Sequence, residues 1–250
     1  MIKSRENDQT GATAEDRVLD ALRRLIVTGA YQPGEKLTVA AIAKRLGVSA
    51  MPVRAALRQL AGEGLVDTDA NRGARVRELS AGDIRNLYRL RGAVLALLIP
   101  DVVRHVSEAD LDALAAIEAR FEAAAARGEA AEAMAANHAF HAALLAIARN
   151  RDAAAVMDRT WALVEALRLR LGFGPGRLDR AVRGHRALLA ALRRRDAAKA
   201  TALAVASSDN AMADLLARSG APDGPLRTEV PRRSIAPAPL RAKRSRRGMP

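Results

Sequence analysis

LTVAAIAKRLGVSAMPVRAALRQLAGEGLV, residues 37–66, decides the fold of the N-terminal half. Thr38 can cap the segment VAAIAKRL (39–46), whose apolar residues recur at helical spacing until Gly47 stops them. Gly47-Val48-Ser49 then reads as a tight turn. Ser49 caps a further helix, Met51 to Glu63, with Pro52 near its first turn, where a missing N–H is harmless. Gly64 closes that helix. Two short helices joined by GVS predict a helix-turn-helix.

The flanks complete the unit. Upstream, Val18, Leu19, Leu22, Leu25 and Ile26 recur at helical spacing between Glu15 and Thr28, and Gly29 ends the pattern. YQPGEKL (31–37) reads as a turn around Pro33-Gly34. Downstream, LVDTD (65–69) and ARVREL (74–79) are two short strands joined by Ala70-Asn71-Arg72-Gly73, a hairpin. A helix in front and a hairpin behind make the helix-turn-helix a winged one, expected over residues 13–79 after a disordered leader, 1–12.

In such a unit the second helix of the pair enters the major groove while the first crosses the backbone. Ser49 can donate to a phosphate at the helix N-terminus, and Arg54, one turn in, can reach a guanine edge or a phosphate. Gly73 lets the wing backbone approach DNA closely, and Arg72 suits the electronegative minor groove. The residues alone leave a second reading open, in which three small helices and a hairpin form a protein-interaction module.

The chain of 250 residues is half apolar but only 2% aromatic, and it is rich in Ala, a mix that favours helices over strands. It has no cysteine, so disulfides, thiolate metal sites and a cysteine nucleophile are excluded. The polar start, MIKSRENDQTGATAED, lacks the apolar core of a signal peptide. The most apolar run, Ala93 to Val103, is about half a membrane span and contains Pro100 and Asp101. A cytoplasmic protein with no membrane partner is expected. The net charge of +13 splits into +3 over residues 1–80, +4 over 81–220 and +6 over 221–250. Nearly half of the excess therefore sits in the last thirty residues, where a basic solubilising tail explains it as well as DNA does.

After Ser80 the strand signals stop. Ser80–Asp83 and Ser107–Asp110 read as capping boxes with Asp in place of Glu. Helices are predicted at about 81–104, 108–126, 130–149, 152–171, 178–194 and 196–217, with breaks at Gly128, Asn150, the GFGPG run (172–176) and Arg195-Asp196. The fold class is mainly α: a winged helix-turn-helix, then an antiparallel helical bundle over 80–219 for effector binding and dimerisation, then a disordered basic tail, 220–250.

PGEKL (33–37), the stretch 37–66 and NRGARVREL (71–79) resemble, without a gap, the DNA-binding domain of GntR-family bacterial regulators, above all in VSxxPVRxAL followed by EGLV. The resemblance implies sequence-specific binding to double-stranded DNA as a homodimer. It also brings one departure. Between the Ser and the Pro the family carries an Arg or other polar residue and then Thr, both facing DNA; here they are Ala50 and Met51. Recognition then rests more on Arg54, Arg45 and Arg72, at an operator different from the common one.

LYRLRGAVLALL (87–98), NHAFHAALLAIARN (137–150) and GHRALLAALRRRDAAKA (184–200) resemble, more loosely, the helical ligand-binding (FCD) domain of the FadR-type branch. Arg91 matches that branch, while Leu95 replaces an acid one turn later. Many members hold a divalent metal through one Asp and three His. Carried over, those positions are Asn137, His141, His185 and Ser207: two good ligands, a neutral amide and a hydroxyl. Zinc or nickel is then bound weakly or not at all, and the alternative is two pocket histidines that hydrogen-bond an organic ligand or sit satisfied in the bundle. His138 could substitute only if its helix rotated. The effector implied is a small organic acid held by Arg91, Asn137, His141, His185 and Ser207 in a lining otherwise of Ala and Leu. Arg91 could equally form an interhelix ion pair. No phosphate loop, nucleophile elbow or paired carboxylates support an enzyme. The alternative to a ligand-responsive regulator, repressor or activator, is an architectural, weakly specific DNA-binding protein.

Overall fold

The computed structural model describes residues 13–69 and 73–220, and the chain divides into two compact units between Arg77 and Glu78. That boundary lies two residues ahead of the break expected at Ser80. The leader and the basic tail lie outside the described residues.

The first unit opens with α1 (Ala14–Val27), started by Thr13 and Asp16, which bond each other's backbone N–H in a capping box. α2 (Val39–Leu46) is capped by Thr38, and α3 (Ala50–Gly62) follows after Gly47. Gly47 sits at φ 66°, the left-handed conformation that glycine adopts without a Cβ penalty, and this reverses the chain between the two helices. α1 lays Val18, Leu22, Leu25 and Ile26 on the buried face of α3, which presents Val53, Ala56, Leu57 and Leu60. Arg23 fixes the crossing by donating from Nε (3.0 Å) and NH2 (2.6 Å) to the two carboxylate oxygens of Glu63.

The wing is a three-stranded antiparallel sheet in the order β1–β3–β2, formed by β1 (Lys36–Leu37), β2 (Val66–Asp69) and β3 (Gly73–Val76). Two features differ from the sequence reading. Lys36 and Leu37, read as part of a turn, pair with Arg75 and Ala74 of β3, since a two-residue strand is too short to show alternation. Gly73, read as a turn residue, is already in β3 opposite Asp69. Ala70–Arg72 lie outside the described residues.

The second unit is a bundle of α4 (Ala81–His105), α5 (Glu108–Ala126), α6 (Ala130–Ala148), α7 (Arg151–Leu171), α8 (Arg177–Arg193) and α9 (Ala197–Ser219). The expected capping boxes form at Ser80–Asp83 and Ser107–Asp110, and Asn150 and Asp196 cap α7 and α9. α4 lies along α9, α5 packs on α6 and α8, and α8 packs on α9. Leu98, Ile99, Val102, Leu114, Phe140 and Leu192 fill the centre at one end. Ser208 of α9 ties the two helices, its hydroxyl donating to the Tyr88 carbonyl of α4 at 3.1 Å. Among the described residues no helix is long and apolar enough to cross a membrane.

Candidate functional site

The second helix of the helix-turn-helix turns its apolar side inward and leaves Ala50, Met51, Arg54 and Arg58 exposed along one face. Arg45 is exposed near the end of α2 with its guanidinium 5.0 Å above the Tyr31 ring, which restricts where it can reach. Between Glu35 and Glu63 the sequence carries Lys36, Lys44, Arg45, Arg54 and Arg58 and no acid, so this face is uniformly positive. Ser49 stands at the N-cap of α3, but its side chain makes no capping hydrogen bond, unlike the cap read from the sequence. Its extended backbone and exposed hydroxyl leave that oxygen, and the helix N-terminus behind it, free for a phosphate. Arg58 escaped the sequence reading although it lies four residues beyond Arg54 on the same stripe. Arg72 lies outside the described residues.

In the bundle, one cavity of about 60 Å³ is lined by residues from α4, α5, α6, α7, α8 and α9 and by Phe173. That is several times the roughly 10–15 Å³ a single water needs, and it fits a small organic molecule. The chain has only six aromatic residues, and four of them, Tyr88, Phe121, Trp161 and Phe173, face this space. Leu95, Ala133, Leu178, Ala181 and Ala211 supply the Ala and Leu expected of the lining, and the four rings are added to them. The sequence spreads those four rings over more than eighty residues, and only the tertiary fold gathers them. Arg91, Asn137, His141 and Ser207 line the cavity as expected.

Arg91 is buried and donates from NH1 to the Thr160 hydroxyl (2.7 Å) and the Met157 carbonyl (3.2 Å), with its guanidinium 5.8 Å from the Trp161 ring centre. Among the described residues it forms no interhelix ion pair. Burial lowers its pKa, though Tyr88 and Asp158 partly offset this. Arg168 and Arg177 add two further guanidiniums. Arg168 is neutralised by Asp214, both side chains being almost wholly buried, and its guanidinium covers the Phe173 ring at 4.8 Å. Asp214 also accepts the Gly174 N–H (3.2 Å), and a Cβ at Gly174 would collide with its carboxylate, which explains this glycine of the GFGPG run.

His185 does not line the cavity. It lies one layer deeper, stacked on Phe140 at 4.3 Å and edge-on to His141 at 5.8 Å. Its Nδ1 is 2.7 Å from Glu118 Oε2, while its Nε2, Glu118 Oε1 and His141 Nδ1 are buried with no partner. Burial, reinforced by His185 and Arg91, pushes the His141 pKa well below its usual value, so this imidazole is neutral at pH 7. His138 stacks flat on Trp161 at 4.2 Å and points to that ring rather than to a ligand cluster.

The site holds a carboxylate after all, but Glu118 engages His185 rather than completing a metal shell. The four carried-over positions offer two imidazoles, a neutral amide and a hydroxyl. Among the described residues no three of His, Asp or Glu come close enough to share an ion. This donor set does not fit a tightly held divalent metal.

Comparison with known proteins gives the family. The family described as bacterial regulatory proteins, gntR family, matches residues 14–76, and the FCD domain matches residues 86–209. An HTH-type transcriptional regulator from the TAR-I ttuE-ttuC' intergenic region of Agrobacterium vitis is 33% identical over 135 residues, covering 51% of this chain and 77% of the relative. The chain belongs to the GntR family and carries an FCD domain. The HTH-type transcriptional regulator YdhC of Bacillus subtilis (strain 168) is 28% identical over 186 residues, 73% of this chain and 83% of its own. The solved structure of Escherichia coli McbR/YncC shares the fold, with a TM-score of 0.69 at 20% identity over 81% of this chain and 97% of that one. This GntR-family protein is thus a DNA-binding transcription regulator and not an enzyme.

Within the helical bundle, Glu118, Thr160, Arg168, Arg177 and Asp214 were not singled out by the sequence reading. Glu118 carried a signal, since it falls on the buried stripe of α5 between Leu114 and Phe121. Arg168 similarly follows Leu167 on the buried side of α7. Arg177, directly after Pro175-Gly176, carried none.

Proposed function

We propose that this GntR-family regulator binds a two-fold operator as a homodimer and that a small organic acid, seated in the FCD cavity among Arg91, Asn137, His141 and Ser207, controls that binding. The convergence of four of the chain's six aromatic residues and three guanidiniums on one cavity carries the reading. His185 acts behind His141, fixing its neighbours through Glu118 and Phe140. No metal takes part, because the donor set does not suit one. On DNA, Arg54 reads a base edge, Ser49 and Arg58 hold phosphates, and Met51, 69% exposed, suits a thymine methyl where the family carries Thr.

Two-fold pairing has a seam available on α4. Leu90 (47% exposed) and Leu97 (62% exposed) lie seven residues apart on one face, with exposed Ala93 between them. Leu97→Glu is expected to shift a dimer toward monomer in sedimentation at micromolar concentration.

Footprinting on an operator selected from random DNA tests the whole reading. A discrete, two-fold protected site is expected for the parent. Arg54→Ala should lose it, since one bidentate base contact is worth about 1–3 kcal/mol and occurs twice per dimer. One of a set of small carboxylates should change the protected fraction. Protection spread evenly along any DNA would instead mark an architectural protein, and a footprint that no carboxylate alters would remove the effector half of the proposal.

A further inference from the structure

Arg177 is the first residue of α8 and is 9% exposed, yet its Nε is buried without a hydrogen-bond partner and it forms no ion pair among the described residues. Buried guanidiniums are ordinarily paired, because a cation taken out of water without a counter-ion is costly. The neighbours cannot supply the missing anion. Asp214, the acid within electrostatic reach, is already bound to Arg168 and to the Gly174 N–H. Gly176, at the N-cap of α8, has no side chain to offer. A cation at a helix N-terminus also opposes the helix dipole, so Arg177 is disfavoured twice where it stands.

Arg91, the residue that sequence reasoning chose for the effector's acid group, is placed differently. Its NH1 is spent on the Thr160 hydroxyl and the Met157 carbonyl, and its guanidinium faces Trp161. Both arginines line the cavity, and both act electrostatically on Tyr88 and His141, which lie between their fields. Arg91 thus has one guanidinium nitrogen engaged by the protein, whereas Arg177 has none.

We propose that Arg177 is the anion-anchoring residue of the FCD cavity and that its partner is the carboxylate of a ligand with only a few non-hydrogen atoms, the rest of which lies against Trp161, Phe121 and Phe173. A carboxylate matches the flat fork of one guanidinium with two parallel hydrogen bonds. A phosphate dianion would bring a second negative charge into the buried cavity, which pairing with one guanidinium leaves uncompensated. The burial that holds the Arg177 pKa down to about 10 still leaves it charged at neutral pH. The inference rests on the cavity being the effector site and names the residue that sets the effector's chemical class.

Trp161 is the single tryptophan of the chain and faces the cavity, so its emission reports occupancy directly in the full-length protein. Acetate, lactate, malonate and succinate are titrated at constant ionic strength against acetamide, lactamide, malonamide, succinamide and inorganic phosphate. At least one carboxylate is expected to change Trp161 emission saturably while its amide does not. Arg177→Gln should weaken that carboxylate by roughly 10- to 100-fold, the loss of a charge-assisted pair, and Arg177→Lys by less. Arg91→Gln should cost less than Arg177→Gln. A larger loss in Arg91→Gln, or Arg177→Gln titrating like the parent, would overturn the anchor and leave the cavity as an effector site. Phosphate binding better than every carboxylate would overturn the ligand class. No saturable response to any probe would overturn both this inference and the effector reading. Loss of helical circular dichroism in ligand-free Arg177→Gln would show that the guanidinium has structural partners and would likewise overturn the proposal.

Discussion

Asp214→Asn isolates the charge that holds α7 and α9 together beside the cavity. The substitution keeps the shape of the side chain and one carbonyl oxygen for the Gly174 N–H, and removes only the negative charge. Arg168 and Asp214 are 4% and 5% exposed as side chains, with 2.5 Å between NH1 and Oδ2, and Arg168 NH2 is otherwise satisfied by the Ala211 carbonyl. Without Asp214, Arg168 becomes an unpaired buried cation, and it acts unfavourably on Arg177. Breaking a buried pair in this way costs about 3–5 kcal/mol, and since Asn retains a hydrogen bond the lower end applies. At about 2–4 °C per kcal/mol for a protein of this size, the FCD domain should melt roughly 6–12 °C earlier. Trp161 emission follows that domain alone, because the DNA-binding unit has no tryptophan. Urea unfolding should show a lower midpoint at an unchanged slope. The double variant Arg168→Met with Asp214→Leu should recover to within about 1 kcal/mol of the parent, as apolar replacement of both partners removes the desolvation penalty too. An Asp214→Asn protein within about 1 kcal/mol of the parent would refute the reasoning.

Three further outcomes are expected. Arg58→Ala should weaken binding to all DNA sequences alike and lower the slope of log affinity against log salt by about 1 per contact, as removal of a phosphate contact does; a change in sequence preference would reassign Arg58 to base reading. Burial lowers the Arg177 pKa from the ordinary arginine value to about 10, so its charge destabilises the ligand-free fold at every pH below 10, and the penalty fades as pH rises from there toward that ordinary value. Arg177→Gln should therefore raise ligand-free stability at pH 7, by up to about 3 kcal/mol, with the gain shrinking above pH 10; a destabilised variant would contradict this. Zinc and nickel should be substoichiometric after purification and a chelator without effect, whereas Asn137→Asp with Ser207→His should bind zinc tightly by restoring the two missing donors. Stoichiometric zinc in the parent would count against this account of the donor set.

Local chemistry made most of the fold legible. Gly47, Pro52 and the Ser-Asp pairs at 80–83 and 107–110 act within a turn of themselves, and the helices they bound appear where they were expected. The misses share a cause. β1 is a strand only because Ala74 and Arg75 come to lie beside it, and nothing within Lys36-Leu37 says so. Likewise Arg168 meets Asp214 across 46 residues and His185 meets Glu118 across 67, so their roles exist only in the tertiary structure. Glu118 was the readable exception, since an acid on a buried helical stripe demands a partner on energetic grounds alone. The Ser49 hydroxyl went the other way: its position is that of a cap, but its geometry leaves it unbonded and open to solvent.

The altered metal positions and the unpaired arginine are better understood together than apart. In the metal-bound pattern that this FCD domain resembles, a divalent ion and one Asp together leave the centre of the bundle positive, and an acid can bind there. Asn137 and Ser207 are poor donors for such an ion, and Asn137 also lacks the negative charge that would attract Arg177 or Arg91. The cavity nonetheless keeps in its wall two guanidiniums, Arg91 and Arg177, that have no ion pair among the described residues. Arg177 supplies the positive charge by another route, from the first turn of α8, where a chelator cannot remove it and metal supply cannot modulate it. The energetic consequence is that the ligand-free domain carries a desolvated cation, and an acid that pairs with it relieves that penalty as it binds. An effector so bound stabilises whichever arrangement of the regulator closes the cavity around it, and its leverage on DNA binding equals its difference in affinity between the two arrangements.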